Sequence, residues 1–230
     1  MFGSEVVDDD ASVKESEVSG AALCGGGDGG LRLTLQEKID GSNVSVHFEA
    51  EWQPVIQKRS GLIGSGEKQH YDVFRSWVYE RLELLWEMLG TTHVLFGEWL
   101  WTQHAVRYQR LPGFFVAFDL LEKASGCFLS HSRLLRRLDS RIPSVPLLAS
   151  LPWPLPKGQK LDALVKSWVK PSQYGDETAE GVYIRVEDDS HVRFRIKYRR
   201  KTFVSGREDF GKIDKRNTLA SSESTDSSKG

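Results

Sequence analysis

No long apolar run occurs anywhere in the 230 residues. A bilayer-spanning helix needs roughly 20 predominantly apolar residues, and nothing here approaches that. Cysteine is scarce. Cys24 and Cys127 lie far apart in unlike contexts, fit no metal-ligand spacing, and point to a reducing compartment more than to a disulfide framework. The six histidines (His47, His70, His93, His104, His131, His191) show no ligand spacing either, so a zinc site is not expected. The first residues lack the basic-then-apolar order of a secretory signal. These absences predict an intracellular protein, cytoplasmic or nuclear, with no membrane partner. Hydrophobic residues make up 39% of the chain, below the usual share, which predicts that part of it stays unfolded.

Net charge is also nearly absent, at -1, but it is unevenly placed. Residues 1–30 hold seven acids (Glu5, Asp8, Asp9, Asp10, Glu15, Glu17, Asp28) against Lys14 alone, a net of -6 that leaves +5 for the remainder. A mildly basic body suits a phosphate-rich ligand without requiring one. The acidic start is poor in aromatics and ends in Gly25-Gly26-Gly27-Asp28-Gly29-Gly30, so residues 1–30 read as a disordered tail. That glycine run precedes a strand pattern instead of following one, and no Lys-Ser/Thr closes it. It is therefore read as a linker and not a phosphate loop. The Ser/Thr-rich end, residues 213–230, reads as a second tail, leaving one domain over 31–212.

Within that domain, strand and helix periods alternate. Leu31, Leu33 and Leu35 form a period-2 stripe, and Val44, Val46 and Phe48 form another. A third strand is predicted over 52–58. Phe74, Trp77, Val78, Leu82, Leu85 and Leu89 fall at helical spacing, predicting one helix over 71–89 that stops at Gly90. Apolar and aromatic strands follow over 94–101 and 114–121, with short helices over 132–138 and 161–168. Strands over 181–186 and 192–198 are joined by a turn at Asp188-Asp189-Ser190. This is an α+β pattern dominated by hairpins.

Between the first two stripes stands Glu37-Lys38-Ile39-Asp40-Gly41-Ser42-Asn43. A free lysine, with a pKa of about 10.4, is protonated and a poor nucleophile at neutral pH; partial burial and a neighbouring cation activate such a group. Five further segments follow in order: Arg59-Ser60-Gly61, Phe96-Gly97-Glu98-Trp99-Leu100, Phe114-Phe115-Val116-Ala117-Phe118-Asp119, Glu180-Gly181-Val182-Tyr183-Ile184-Arg185, and Arg195-Ile196-Lys197-Tyr198. With these, residues 31–205 resemble the covalent nucleotidyltransferase superfamily, and most closely the ATP-dependent RNA ligases of RNA ligase 2 type. The strings from Gly97 to His104 and from Arg110 to Asp119 resemble RNA ligase-like members in particular.

The resemblance implies a nucleotidyltransferase core of antiparallel sheets flanked by helices, with the nucleotide in the cleft between the sheets. It implies that Lys38 attacks ATP and carries AMP, and that Lys197 grips the α-phosphate. It further implies that AMP passes to an RNA 5′-phosphate, and that Asn43 assists the step in which a 3′-hydroxyl displaces it. Arg59 corresponds to a ribose and phosphate contact, although as a residue it is equally an exposed strand-end arginine. Glu98 corresponds to the ribose contact and Glu180 to the carboxylate that holds Mg²⁺ (or Mn²⁺); isolated carboxylates in apolar strands otherwise call for a water-facing edge. Phe118 corresponds to the ring stacked on adenine, against the ordinary alternative of a core phenylalanine. Glu37 is either an acceptor for the adenine amino group or a plain surface acid. One departure stands out: the last motif, commonly Lys-x-Lys, is Arg195-Ile196-Lys197 here, and arginine keeps the charge but not the geometry.

Six cations occupy residues 193–201. Strand alternation puts Arg193, Arg195, Lys197 and Arg199 on one face. Arg193, Arg195 and Arg199 are thus candidates for tracking an RNA backbone, the alternative being a charged edge strand that resists aggregation. The other readings are a DNA ligase-like or capping-type nucleotidyltransferase, and a non-catalytic RNA-binding module. An oligonucleotide-binding barrel, which usually follows the last motif in DNA ligases and capping enzymes, is not expected in the short polar stretch after Lys201.

Overall fold

The structure, a computed structural model, describes residues 6–7, 30–204 and 215–221. The first sheet holds β1 (Val6–Val7), β2 (Arg32–Lys38), β9 (Leu147–Pro152), β10 (Gly181–Glu187) and β11 (Val192–Arg199), in the order β1-β11-β10-β2-β9. The second holds β3 (Ser42–Ala50), β4 (Gln53–Lys58), β5 (Gly61–Leu62), β6 (His93–Trp99), β7 (Phe115–Glu122) and β8 (Cys127–Phe128), in the order β5-β4-β3-β6-β7-β8. Pairing is antiparallel throughout except for β1, which runs parallel to β11. The helices are α1 (Gln69–Glu80), α2 (Leu82–Leu89), α3 (His131–Leu138) and α4 (Leu161–Ser167). The α+β class and the antiparallel sheets flanked by helices agree with the sequence.

The period-2 patterns explain how the sheets face each other. On the first sheet, Leu33, Leu35, Val182, Ile184, Val186 and Ile196 pack with Leu161 and Val165 of α4. The alternate positions Thr34, Gln36, Tyr183, Arg185, Arg195 and Lys197 therefore point the other way, toward the second sheet. On the second sheet, Val44, Val46 and Phe48 pack with Phe74 and Val78 of α1 and with Leu85 and Leu89 of α2. A third apolar cluster, including Ile39, Leu100, Tyr108, Phe118 and Tyr183, joins the sheets. The apolar faces hold the helices, and the polar faces meet across a cleft.

Several elements differ from the sequence-based expectation. The predicted single helix is broken at Arg81 (φ -117°, ψ 22°), whose guanidinium turns back onto the Trp77 ring at 5.0 Å and the Trp77 carbonyl at 3.4 Å. The break lets α1 and α2 share one core against the same sheet. Strand β9 was not foreseen, because Pro146, Pro152 and Pro154 interrupt its pattern; it lies at a sheet edge, where proline is tolerated. Of the predicted N-terminal tail, Val6–Val7 forms a strand, and residues 1–5 and 8–29 lie outside the described residues.

The predicted C-terminal tail is corrected over residues 215–221, which dock on the body. Asn217 is 2% exposed; its Oδ1 accepts from the Tyr108 amide at 2.9 Å and its Nδ2 donates to the Leu100 carbonyl at 2.8 Å. Backbone bonds tie Lys215, Thr218 and Ala220 to Gln103, Tyr108 and Leu111. Residues 205–214 and 222–230 lie outside the described residues. No helix among the described residues is long and apolar enough to cross a membrane.

Candidate active site

Lys38 is the last residue of β2, opposite Gly181 at the start of β10. Glu180 immediately precedes β10, and its Oε2 forms an ion pair with Lys38 Nζ. The two side chains are only 18% and 8% exposed. Gly181 makes this approach possible: a Cβ there would collide with the Tyr198 carbonyl of β11, so a side chain would push β10 and β11 apart. Burial raises the Glu180 pKa, with Lys38 pulling it back down.

The close approach of β11 brings Lys197 opposite Tyr183. Its ammonium stands 5.3 Å from the Phe118 ring centroid and 5.6 Å from that of Tyr183. Burial lowers the Lys197 pKa, and Lys38 adds to that effect while Glu98 opposes it. Phe118 is 7% exposed and meets Tyr183 edge-on at 6.1 Å, so it belongs to the cluster that joins the sheets.

The second sheet supplies the opposite wall. Asn43 of β3 pairs in register with Glu98 of β6. Glu98 Oε2 is withdrawn from solvent with no hydrogen-bond partner, and burial pushes the carboxyl up to about 7 against the pull of Lys197 and Lys38. Glu37 is not a surface acid: it is 2% exposed, and its Oε2 accepts from the Gln173 amide at 3.0 Å. Its Oε1 is buried without a partner, and burial raises its pKa. Arg59 lies exposed in the turn between β4 and β5. Among the described residues no contact joins it to Lys38, Glu180 or Lys197.

The basic face of β11 is spent internally. Arg195 Nη1 bonds Asp119 Oδ2 of β7 at 2.9 Å, and its guanidinium lies 3.5 Å from the Phe128 centroid. Arg193 pairs with Asp188 in the turn before β11. Arg195 and Lys197 share the face toward the cleft, where Asp119 meets Arg195, while Arg193 stands at the register shift between Val192 and Phe194 and turns to Asp188. This accounts for Arg195 in place of lysine: its longer fork spans the cleft to Asp119. Asp119 is fully buried and also takes Arg185 Nη2 at 2.7 Å and the Tyr183 hydroxyl at 2.7 Å.

Sequence spacing missed a second group, on the back of β3. Ser42 Oγ lies 2.9 Å from His70 Nε2 and 3.3 Å from His104 Nε2. His70 and His104 are far apart in the chain, and only the start of α1 packing on β3 brings them together. His104 sat inside an RNA ligase-like string, which was the one available signal.

Among the described residues no group of three or more His, Cys, Asp or Glu side chains forms a metal cage. Mg²⁺ is held typically by one or two carboxylates together with substrate phosphates. The buried Glu180 carboxylate beside Lys38 fits an ion of that kind.

A family model of RNA ligase matches residues 32–199. The chain belongs to the RNA ligase family. Among solved structures, it is similar to a Naegleria gruberi RNA ligase with PPi, at 19% identity and a TM-score of 0.55, covering 74% of this chain and 50% of that one. A variant of that ligase solved with AMP and Mn matches at 18% identity and a TM-score of 0.55, covering 75% and 50%. Another, solved with ATP and Mn, matches at 18% and 0.54, again covering 75% and 50%. These likenesses show a shared RNA ligase fold, and the chain spans about half the length of the ligase structures it matches. No curated protein matches it.

Proposed function

We propose that this member of the RNA ligase family is an ATP-dependent RNA ligase that works through Lys38. The observation that supports this most directly is the convergence of Lys38, Glu180, Lys197 and Glu98 from two sheets on one cleft, within the stretch matched by the family model.

In the first step Lys38 Nζ attacks the α-phosphorus of ATP. Nζ gives up its excess protons to solvent, an N–P bond forms, the P–O bond to pyrophosphate breaks, and pyrophosphate leaves. Lys197, held in a dry setting over Phe118, neutralises charge on the α-phosphate more strongly than an exposed lysine would. An oxygen of an RNA 5′-phosphate then attacks the AMP phosphorus, a pyrophosphate linkage forms, the N–P bond breaks, and Lys38 is regenerated. In the last step a 3′-hydroxyl attacks that phosphate, AMP leaves, and Asn43 assists from the opposite wall. Glu98 offers its free oxygen to a ribose hydroxyl, Glu37 its Oε1 to the adenine amino group, Phe118 a ring near the base, and Arg59 a phosphate contact once substrate fills the cleft. Glu180 would hold Mg²⁺ or Mn²⁺, which supplies positive charge against the phosphates.

Incubation with α-labelled ATP and Mg²⁺ should label the wild-type chain covalently and leave Lys38→Ala unlabelled. Equal labelling of both, or none of the wild type, sinks the reading. A second reading draws on the internal pairing of Arg193 and Arg195: the chain performs adenylation but depends on another domain or subunit for RNA. Self-labelling without sealing of 5′-phosphorylated RNA would select it.

A further inference from the structure

The turn from Lys38 to Asn43 is pinned by a chain of side chains that the proposed chemistry does not use. Asp40 Oδ2 accepts from the Val106 amide at 2.9 Å, and the Asp40 amide donates to the Tyr108 hydroxyl at 2.8 Å. His104 Nδ1 stands 3.9 Å from Asp40 Oδ1, and its Nε2 faces Ser42 Oγ. Ser42 Oγ also meets His70 Nε2, and His70 Nδ1 meets Thr102 Oγ1 at 2.8 Å.

One polarity satisfies every member when Asp40 is ionised. Thr102 donates to His70 Nδ1, and His70 Nε2–H donates to Ser42. Ser42 then donates to His104 Nε2, and His104 Nδ1–H points at Asp40. The reverse order would turn a lone pair of His104 toward the carboxylate. Both rings must be neutral for this order. Burial pushes each down to about 4, so they are neutral at physiological pH.

Ser42 shares its strand parity with Val44, Val46 and Phe48, which pack on α1 and α2. Asn43 therefore points to the other side, into the cleft beside Glu98. The Ser42–His70 end of the chain lies behind the strand and reaches the cleft through the backbone of Ser42 and Asn43, whereas Asp40 and His104 also act on Lys38 and Glu180 through their charge. Lys38 is held separately, by its pairing with Gly181 and its ion pair with Glu180.

We propose that Ser42, His70 and His104 are positioning residues for the sealing step, holding Asn43 in register opposite Glu98 while leaving Lys38 to its own support. The inference rests on the ligase reading above and separates two of its steps. It is tested on the full chain with two single-step assays: self-adenylation with labelled ATP, and phosphodiester formation from RNA carrying a preformed 5′-adenylate.

Ser42→Ala should slow sealing of the adenylated RNA about tenfold or more, while adenylation falls less than about threefold. Ser42→Thr, which keeps the hydroxyl, should restore most of the sealing. A general loosening of the fold would lower both steps by one factor and would not be rescued by the hydroxyl. Equal loss in both assays, or sealing by Ser42→Ala at the wild-type rate, overturns the proposal. If Ser42→Ala does not fold, His70→Asn keeps the reach to Thr102 but not to Ser42 and is read by the same two assays. A wild type that never labels with ATP counts instead against the ligase reading.

Discussion

Arg195 on β11 and Asp119 on β7 are joined at 2.9 Å across the cleft, so a side chain at the last motif fastens one sheet to the other beside Lys197. Removing one partner of a buried pair is costly because the other charge is left without compensation. Asp119 would still hold Arg185 and Tyr183, which limits the loss. Arg195→Ala should therefore lose about 2 kcal/mol in urea unfolding, less than the roughly 3–5 kcal/mol that follows when a buried charge is left with no partner. Arg195→Lys should recover part of this, its single ammonium lacking the guanidinium fork. An Arg195→Ala chain as stable as the wild type would show that the contact does not tie the sheets.

Glu98 gives a pH dependence of definite sign. Its carboxyl ionises near its ordinary 4.5 in the unfolded chain but at about 7 in the fold. Between these values the folded chain keeps a proton that the unfolded chain has released. The stability linked to this group is thus fully present below about pH 4.5 and lost as pH rises to 7. Glu98→Gln has no such loss, so it should be stabilised relative to wild type at pH 8 and not at pH 4.5. The difference should be about 2 kcal/mol, discounted from about 1.4 kcal/mol per unit of pKa for relaxation of the site. Thermal melts of both chains at the two pH values measure it; parallel curves would mean that Glu98 is solvated.

Lys197 should show stability and activity moving in opposite directions. Burial already lowers its pKa, so its charge is held at a cost. Lys197→Met should unfold no more readily than wild type, with a gain of up to about 1 kcal/mol. Its self-adenylation should fall about a hundredfold or more, a loss of the size seen when a preorganised charge contact is removed. Retained labelling would remove Lys197 from the reaction.

Asn217 tests the docked segment. Truncation to alanine leaves the Tyr108 amide and the Leu100 carbonyl without their partner in a buried setting, at about 1–3 kcal/mol. A change of less than about 0.5 kcal/mol, the usual range at an exposed position, would mean that residues 215–221 are not held there in solution.

The sheets and their facing were legible because period-2 stripes such as Leu33-Leu35 and Val44-Val46-Phe48 state which face is apolar. Lys38, Glu98 and Glu180 stood out in the sequence because they sit in short ordered motifs, and the fold brings them to one cleft. Other relationships depend on distance in space and leave no trace in spacing. Asp119 gathers Arg185, Arg195 and Tyr183 from two other strands; His70 and His104 meet only at Ser42; Asn217 does with one amide what a strand would do with a ladder. Strand alternation puts Arg195 and Lys197 on one face of β11, but it cannot foresee the register shift at Arg193, nor whether a face meets solvent or an opposing acid.

The short turn between Lys38 and Asn43 crosses from one sheet to the other, and that placement governs how the cleft can breathe. A hinge displaces atoms in proportion to their distance from its axis. Rocking of the sheets about this crossing would have to release the Arg195–Asp119 contact, and it would move the far lips widely while the atoms nearest the crossing hardly move. In the proposed ligation, such an opening would admit a large substrate without dismantling the arrangement around Lys38.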